Sequence, residues 1–259
     1  MFIQSRILVA VLAITIWPHS PSLEARSLAS NLAALQSDDA HTRITGLNRL
    51  DDLSRKRGWP LCSPQASSQV KHGLIAALEK ENHFALAGAP GSMDEEEADE
   101  YYPSLIGCVA GLQDRAALHS LLDAIVTGGG ATSGLVALGD AAVPGLLAVS
   151  DSGPHRQFVA LMTLAQLASA AGGTSISAAN RAAIRARALA ALNEPDGYVR
   201  SAGIKALMSY SDAEVRSAIS VRVPATPPNG KMSAGELQEL DEARRWLKQD
   251  KLRSLKPPQ

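Results

Sequence analysis

Apolar residues in this chain recur three and four positions apart, the spacing that lines one face of a helix. Ala202 and Ala206 stand four apart with Leu207 beside them. Near the C-terminus Leu237, Leu240 and Leu247 form a comparable stripe. No segment carries the two-residue alternation of a half-buried strand. The pattern predicts helices near 27–36, 39–57, 65–82, 97–112, 115–127, 132–139, 141–149, 155–170, 178–193, 197–209, 212–222 and 233–254. Gly128-Gly129-Gly130, Gly172-Gly173 and Pro224 to Gly230 fall between them as loop signals. The expected fold class is all-α.

One unit recurs along the chain. In Ala191-Leu192-Asn193-Glu194-Pro195-Asp196 a helix ends and a short turn follows; Val199-Arg200 then opens a second helix. Asp196 is placed to accept from the free N–H groups of that helix. Arg200, four residues on, can reach back to that carboxylate or across to a neighbouring repeat. A second copy runs from Ala34-Leu35 through Asp39 to Arg43, Gly46, Leu47 and Leu50. A third begins at Ala137 and continues through Leu146 to Asp151 and Arg156. A truncated copy carries Asp212 and Arg216, with Ser211 and Glu214 in a capping-box pattern, and Ser233 with Glu236 repeats that pattern before the last helix. The Asp-to-Arg spacing is four in three copies and five at Asp151.

With these residues the chain resembles the HEAT-repeat family. Leu138-Gly139-Asp140-Ala141-Ala142-Val143-Pro144 resembles the short subclass found in bilin-lyase-like and many bacterial scaffold proteins. The likeness is carried by residues 133–216 and 28–57. It implies an α-α superhelix of stacked helical hairpins, with the turn Asp and the following Arg tying neighbouring repeats together at Asp39, Arg43, Asp151, Asp196, Arg200, Asp212 and Arg216. Arg156 takes the equivalent position in its copy. A repeat stack needs an atypical end element, and the 233–254 helix is the expected cap. The expected division is 1–25 as a signal peptide, 26–222 as the repeat domain with an acidic inserted loop near 84–100, 223–232 as a Pro-rich linker, and 233–259 as the capping helix and tail.

Composition narrows the reading further. Over 259 residues the apolar share is 46% and the aromatic share only 4%; Ala and Leu suit close helix packing, where aromatic and β-branched side chains lose rotamer freedom. A net charge of −1 gives no general electrostatic hold on nucleic acid or anionic lipid. Arg6 and the apolar run Ile7–Trp17, broken by Pro18 and Pro21, have the form of a secretory signal. The run is about half the length a membrane span needs, and an uncleaved anchor is the alternative. Export makes Cys62 and Cys108 a candidate disulfide, with two buried thiols as the other reading.

The chemistry is sparse. The run Asp94–Glu100 could offer oxygens to Ca²⁺, yet it lacks the spaced ligands and glycine of a calcium loop. A solvated acidic lead into a helix N-terminus explains it more simply, and an acidic lip with Tyr101 and Tyr102 as contact aromatics is a third reading. No two histidines stand four apart, and no phosphate loop or nucleophile elbow is present, so neither a metal nor a cofactor nor catalysis is expected. The expected role is an exported scaffold for a protein partner of unknown identity, without nucleic acid and without a stable membrane span once the signal is cut. Candidate contact residues on the second helices are Tyr101, Tyr102, His155, Arg156, Tyr198 and Lys205. A bilin-lyase-like enzyme and a calcium-dependent envelope protein are the competing classes.

Overall fold

The computed structural model describes residues 23–87, 95–127, 129–169, 176–223 and 232–254. All secondary structure among these residues is helical: α1 (Leu23–Ala34), α2 (Ala40–Arg57), α3 (Ser68–Ala87), α4 (Glu95–Gly111), α5 (Leu118–Asp123), α6 (Gly129–Leu138), α7 (Val143–Val149), α8 (Pro154–Ala168), α9 (Ala178–Ala191), α10 (Gly197–Ala206), α11 (Ala213–Ser220) and α12 (Ala234–Ser254). Short 3-10 turns join several of them, at 115–117, 124–127, 139–142 and 207–209. The apolar run at 7–17, and with it the expected export signal, lies outside the described residues. So do Asp94, Gly172-Gly173 and the linker core 224–231.

The odd-numbered helices α1, α3, α5, α7 and α9 touch in succession, and most of them also pack on a chain neighbour. Thus α1 meets α2 and α3, α3 meets α4 and α5, and α5 meets α6 and α7. On the other side α4, α6, α8, α10 and α12 touch in succession. A continuous apolar core runs between the two rows from Leu32 to Ala202. A second cluster around Ile204, Ile219 and Trp246 closes the C-terminal end.

Helix ends follow their capping residues. Asp39 accepts from Thr42 N at 2.7 Å to start α2, and Gly58 at φ 67° ends it. Arg55, Lys56 and Arg57 fill its last turn, where positive charge suits the negative helix end. Ser233 and Glu236 form the expected capping box at α12. The box expected from Ser211 and Glu214 does not form. Asp212 caps α11 instead, accepting from Val215 N at 3.0 Å, and Glu214 turns outward to Arg185.

Three further expectations need correction. Gly129 and Gly130 open α6 rather than forming a loop, because Gly130 backs onto Gly107; a Cβ there would lie 3.2 Å from the Gly107 nitrogen. Helix α3 continues to Ala87, into the segment expected to be the acidic loop. In α12 the buried stripe is Leu240, Ala243 and Trp246, while Leu237 is 51% exposed. Trp246 is buried and its Nε1–H donates to the Leu207 carbonyl at 3.0 Å; Leu247 packs against the same cluster, so of the expected stripe only Leu237 faces outward.

By length and composition Gly129–Val149 could cross a membrane. It is split at Gly139, whose φ is 62°, and Ala131, Leu135, Val143 and Leu146 are fully buried in the protein core. Cys62 and Cys108 are joined, with their Cα atoms 4.5 Å apart, so the loop after α2 is stapled to α4. Gly111 makes room for that loop: a Cβ there would lie 2.4 Å from the Cys62 carbonyl oxygen.

Candidate functional site

Arg43 is fully buried. Its Nη1 donates to the carbonyls of Ser37 and Asp38 at 3.0 and 2.9 Å, in the turn before its own helix. Its Nε donates to Glu81 Oε1 at 2.5 Å on α3, and the guanidinium lies 5.1 Å from the Phe84 ring centroid. The arginine therefore fastens three things: the hairpin turn, its own helix and the next hairpin. Burial holds the Glu81 carboxyl above its usual range, against the pull of Arg43.

Arg200 repeats this arrangement. Its Nη1 donates to the carbonyls of Glu194 and Pro195 at 2.9 and 2.7 Å, and its Nε to Glu239 of α12 at 2.7 Å. Arg216 repeats it more loosely, with Ser211 O at 3.4 Å and Asp250 at 2.7 Å. In all three units the Asp four residues earlier (Asp39, Asp196, Asp212) caps the helix and is not the arginine's ion-pair partner. The link to another helix runs through a carboxylate on α3 for Arg43 and on α12 for Arg200 and Arg216. Sequence reasoning missed Glu81, Glu239 and Asp250. The signal was there as a recurrent separation of 38, 39 and 34 residues downstream of each arginine.

Arg156 departs from the pattern. It donates from Nη2 to Leu122 O at 3.1 Å, and its buried Nε has no partner. Asp151 does not cap α8; Gly153 takes that place without a side-chain bond, and Asp151 lies 3.5 Å from Arg187.

The expected contact residues separate by burial. Tyr101 is 4% exposed, which withdraws it from any surface a partner could touch. Its hydroxyl is buried without a hydrogen-bond partner, and burial beside Glu81 raises its pKa. The neighbouring Tyr102 is half-buried and donates to Asn82 Oδ1 at 2.5 Å, while Asn82 donates to Ser120 O at 2.8 Å. His155 is exposed, and Tyr198 is 43% exposed with its ring edge-on to Phe158 at 6.3 Å. Lys205 is partly exposed and lies 3.9 Å from Glu242. His155 and Tyr198 sit on α8 and α10, which pack together.

Among the described residues no group of three or more His, Cys, Asp or Glu side chains is close enough to hold a metal ion. The acidic run enters α4 at Glu95, and of its side chains only Glu100, which is exposed, is described. Clefts open on the first hairpin. One, of about 420 Å³, lies between α1 and α2; another, of about 260 Å³, lies between α2 and α4, beside Ile44, Leu47 and Tyr101. No family model, no curated protein and no solved structure matches this chain.

Proposed function

We propose that the protein is an exported scaffold built as a HEAT-like solenoid, and that the exposed row of even-numbered helices holds a protein partner. The observation that carries this reading is the twin arginine clamp. The α1/α2 and α9/α10 hairpins share Ala34 with Ala191, Leu35 with Leu192, Asp39 with Asp196, Arg43 with Arg200 and Gly46 with Gly203, in the same order and spacing. Such recurrence is what a repeat stack requires, because each hairpin buries its apolar face only against the next. A long, shallow face follows from that architecture, and His155 on α8 and Tyr198 on α10 are exposed side chains that it would present. Aromatic groups of this kind anchor interfaces.

The test is site-directed photocrosslinking in the host, with the crosslinking residue placed at 155, at 198 and at 83. Residue 83 is an exposed position on α3, in the opposite row. The expected result is one and the same protein captured from 155 and 198 and absent at 83. Capture of nothing, or of the same proteins at all three positions, would overturn the reading.

A further inference from the structure

The α1/α2 cleft is lined almost entirely by polar and charged side chains. Two facing stripes form it: Ser27, Ser30 and Asn31 on α1, and Arg49, Asp52 and Lys56 on α2. Neither Arg49 nor Lys56 forms an ion pair among the described residues; Asp52, one turn from each on α2, is the single carboxylate in the lining against two cations. Asn31 is only 8% exposed, lines the cleft, and its side-chain amide has no hydrogen-bond partner among the described residues. Its polar atoms open onto the cleft rather than being sealed in the core, so they are free to bond a ligand in place of water. The volume of about 420 Å³ falls within the range of small-molecule sites.

We propose that this cleft binds a phosphorylated polyol. Arg49 and Lys56 take the phosphate oxygens through charge-assisted hydrogen bonds. Asn31, Ser27 and Ser30 supply neutral donors beside them. Asp52 accepts from ligand hydroxyls, a role that a bare anion cannot fill and that a purely apolar ligand cannot use. A lone carboxylate between two cations makes a poor metal site, so the cleft is read as a site for an anion and its hydroxyls. The ligand's source is either a soluble polyol phosphate or the phosphoglycerol headgroup of a lipid. This inference is independent of any protein partner on the even-numbered helices.

The experiment uses the full chain, titrated with glycerol 1-phosphate, inorganic phosphate and glycerol and followed by calorimetry and by the side-chain amide resonance of Asn31. Glycerol 1-phosphate is expected to bind several-fold more tightly than inorganic phosphate and to shift the Asn31 amide. The R49Q/K56Q double variant is expected to weaken binding at least tenfold and N31A by a few-fold, and affinity should fall as salt is raised. In a second arm, vesicles of phosphatidylcholine with and without phosphatidylglycerol are compared for the parent chain and the double variant. Both carry the same N-terminal apolar segment, so only a difference between them reports on the cleft. A difference confined to phosphatidylglycerol vesicles assigns the lipid as source; binding of the soluble ester alone assigns a free metabolite. Equal affinity for inorganic phosphate would overturn the polyol assignment. Unaltered binding in a folded double variant, or no binding in either arm, would overturn the site.

Discussion

The hairpins at α1/α2 and α9/α10 and the hairpin at α7/α8 start from nearly the same residues and end in different structures. In the first two, the Asp of the turn caps the second helix and the Arg four residues later is held by two turn carbonyls and a carboxylate. In the third, one extra residue separates Asp151 from Arg156, Gly153 and Pro154 open the helix, and the arginine finds a single carbonyl. The turn is not left open. Arg187 of α9 donates to Ser150 Oγ at 2.9 Å and to Ser150 O at 2.6 Å, so a cation from the following hairpin does the work. The packing differs in the same sense. Gly46 and Gly203 bring the two helices of their hairpins together, whereas the α8 residue three places after Arg156 is Val159, partly exposed. A one-residue change in the turn thus moves the cap, the clamp and the close approach together. Clamp geometry, more than composition, defines the unit.

The largest expected effect concerns a feature that only one of the two matching hairpins has. The Cys62–Cys108 staple ties the loop after α2 to α4 and closes a separation of 46 residues. Replacing both cysteines by alanine is expected to cost about 4 kcal/mol by the loop-entropy relation. Hydrogen exchange should rise first in α2, α3 and α4, with α9 to α12 retaining protection. A uniform loss would show that the two ends unfold as one unit. Next in size is Arg43→Ala, expected to cost on the order of 3 kcal/mol by chemical denaturation, because it strands Glu81 in the core. Arg200→Ala should cost less, about 2 kcal/mol, since Arg222 lies 3.6 Å from Glu239 and keeps a cation near it. Arg156→Ala removes one hydrogen bond and should cost about 1 kcal/mol. If Arg156→Ala proves as damaging as Arg43→Ala, the distinction between clamped and unclamped hairpins fails.

Local signals in the sequence carry the helices and the caps, because both depend on residues within one turn of each other. Asp196 is legible as a cap for that reason, whereas the cap of α11 falls at Asp212, one residue after the Ser211 that the capping-box pattern marks. The clamp carboxylates are not, since Glu81, Glu239 and Asp250 lie 38, 39 and 34 residues from their arginines and look like ordinary helix-surface acids. Tyr101 misleads for a related reason: it follows a run of acids, yet the periodicity of α4 turns it inward while Glu100 stays outside. The glycines sharpen the comparison. A Cβ at Gly46 would sit 2.9 Å from Ala34 Cβ, and one at Gly203 would sit 2.9 Å from Ala191 Cβ. Gly46→Ala and Gly203→Ala are each expected to lose about 1–2 kcal/mol despite the better helix propensity of alanine. Gly107→Ala, in an exposed helical position with nothing within 4 Å of its Cβ, should gain up to about 1 kcal/mol. Thermal melts of the three variants decide it, and equal shifts would deny the close approach.

The smallest expected effect separates the carboxylates of the two ends by their titration. Burial raises the pKa of Glu81, so its contribution is full below the ordinary glutamate value of 4.5 and declines as pH rises through its folded value. Asp212 runs the other way. Its bonds from Arg185, at 2.7 and 2.9 Å, hold it down to about 2 from 3.8. Its contribution is therefore full above about 3.8 and is lost as pH falls toward about 2. The side chain is 44% exposed, so solvent screens the pair and the effect should stay below about 1 kcal/mol. Asp212→Asn preserves an acceptor for the α11 cap while removing the charge. The melting temperatures of the parent and of Asp212→Asn should differ near neutral pH and converge as pH approaches 2, with salt narrowing the gap. A difference that persists unchanged to pH 2 would mean that the cap, not the ion pair with Arg185, is what Asp212 contributes, and α11 would then be held as α2 is, by its own turn.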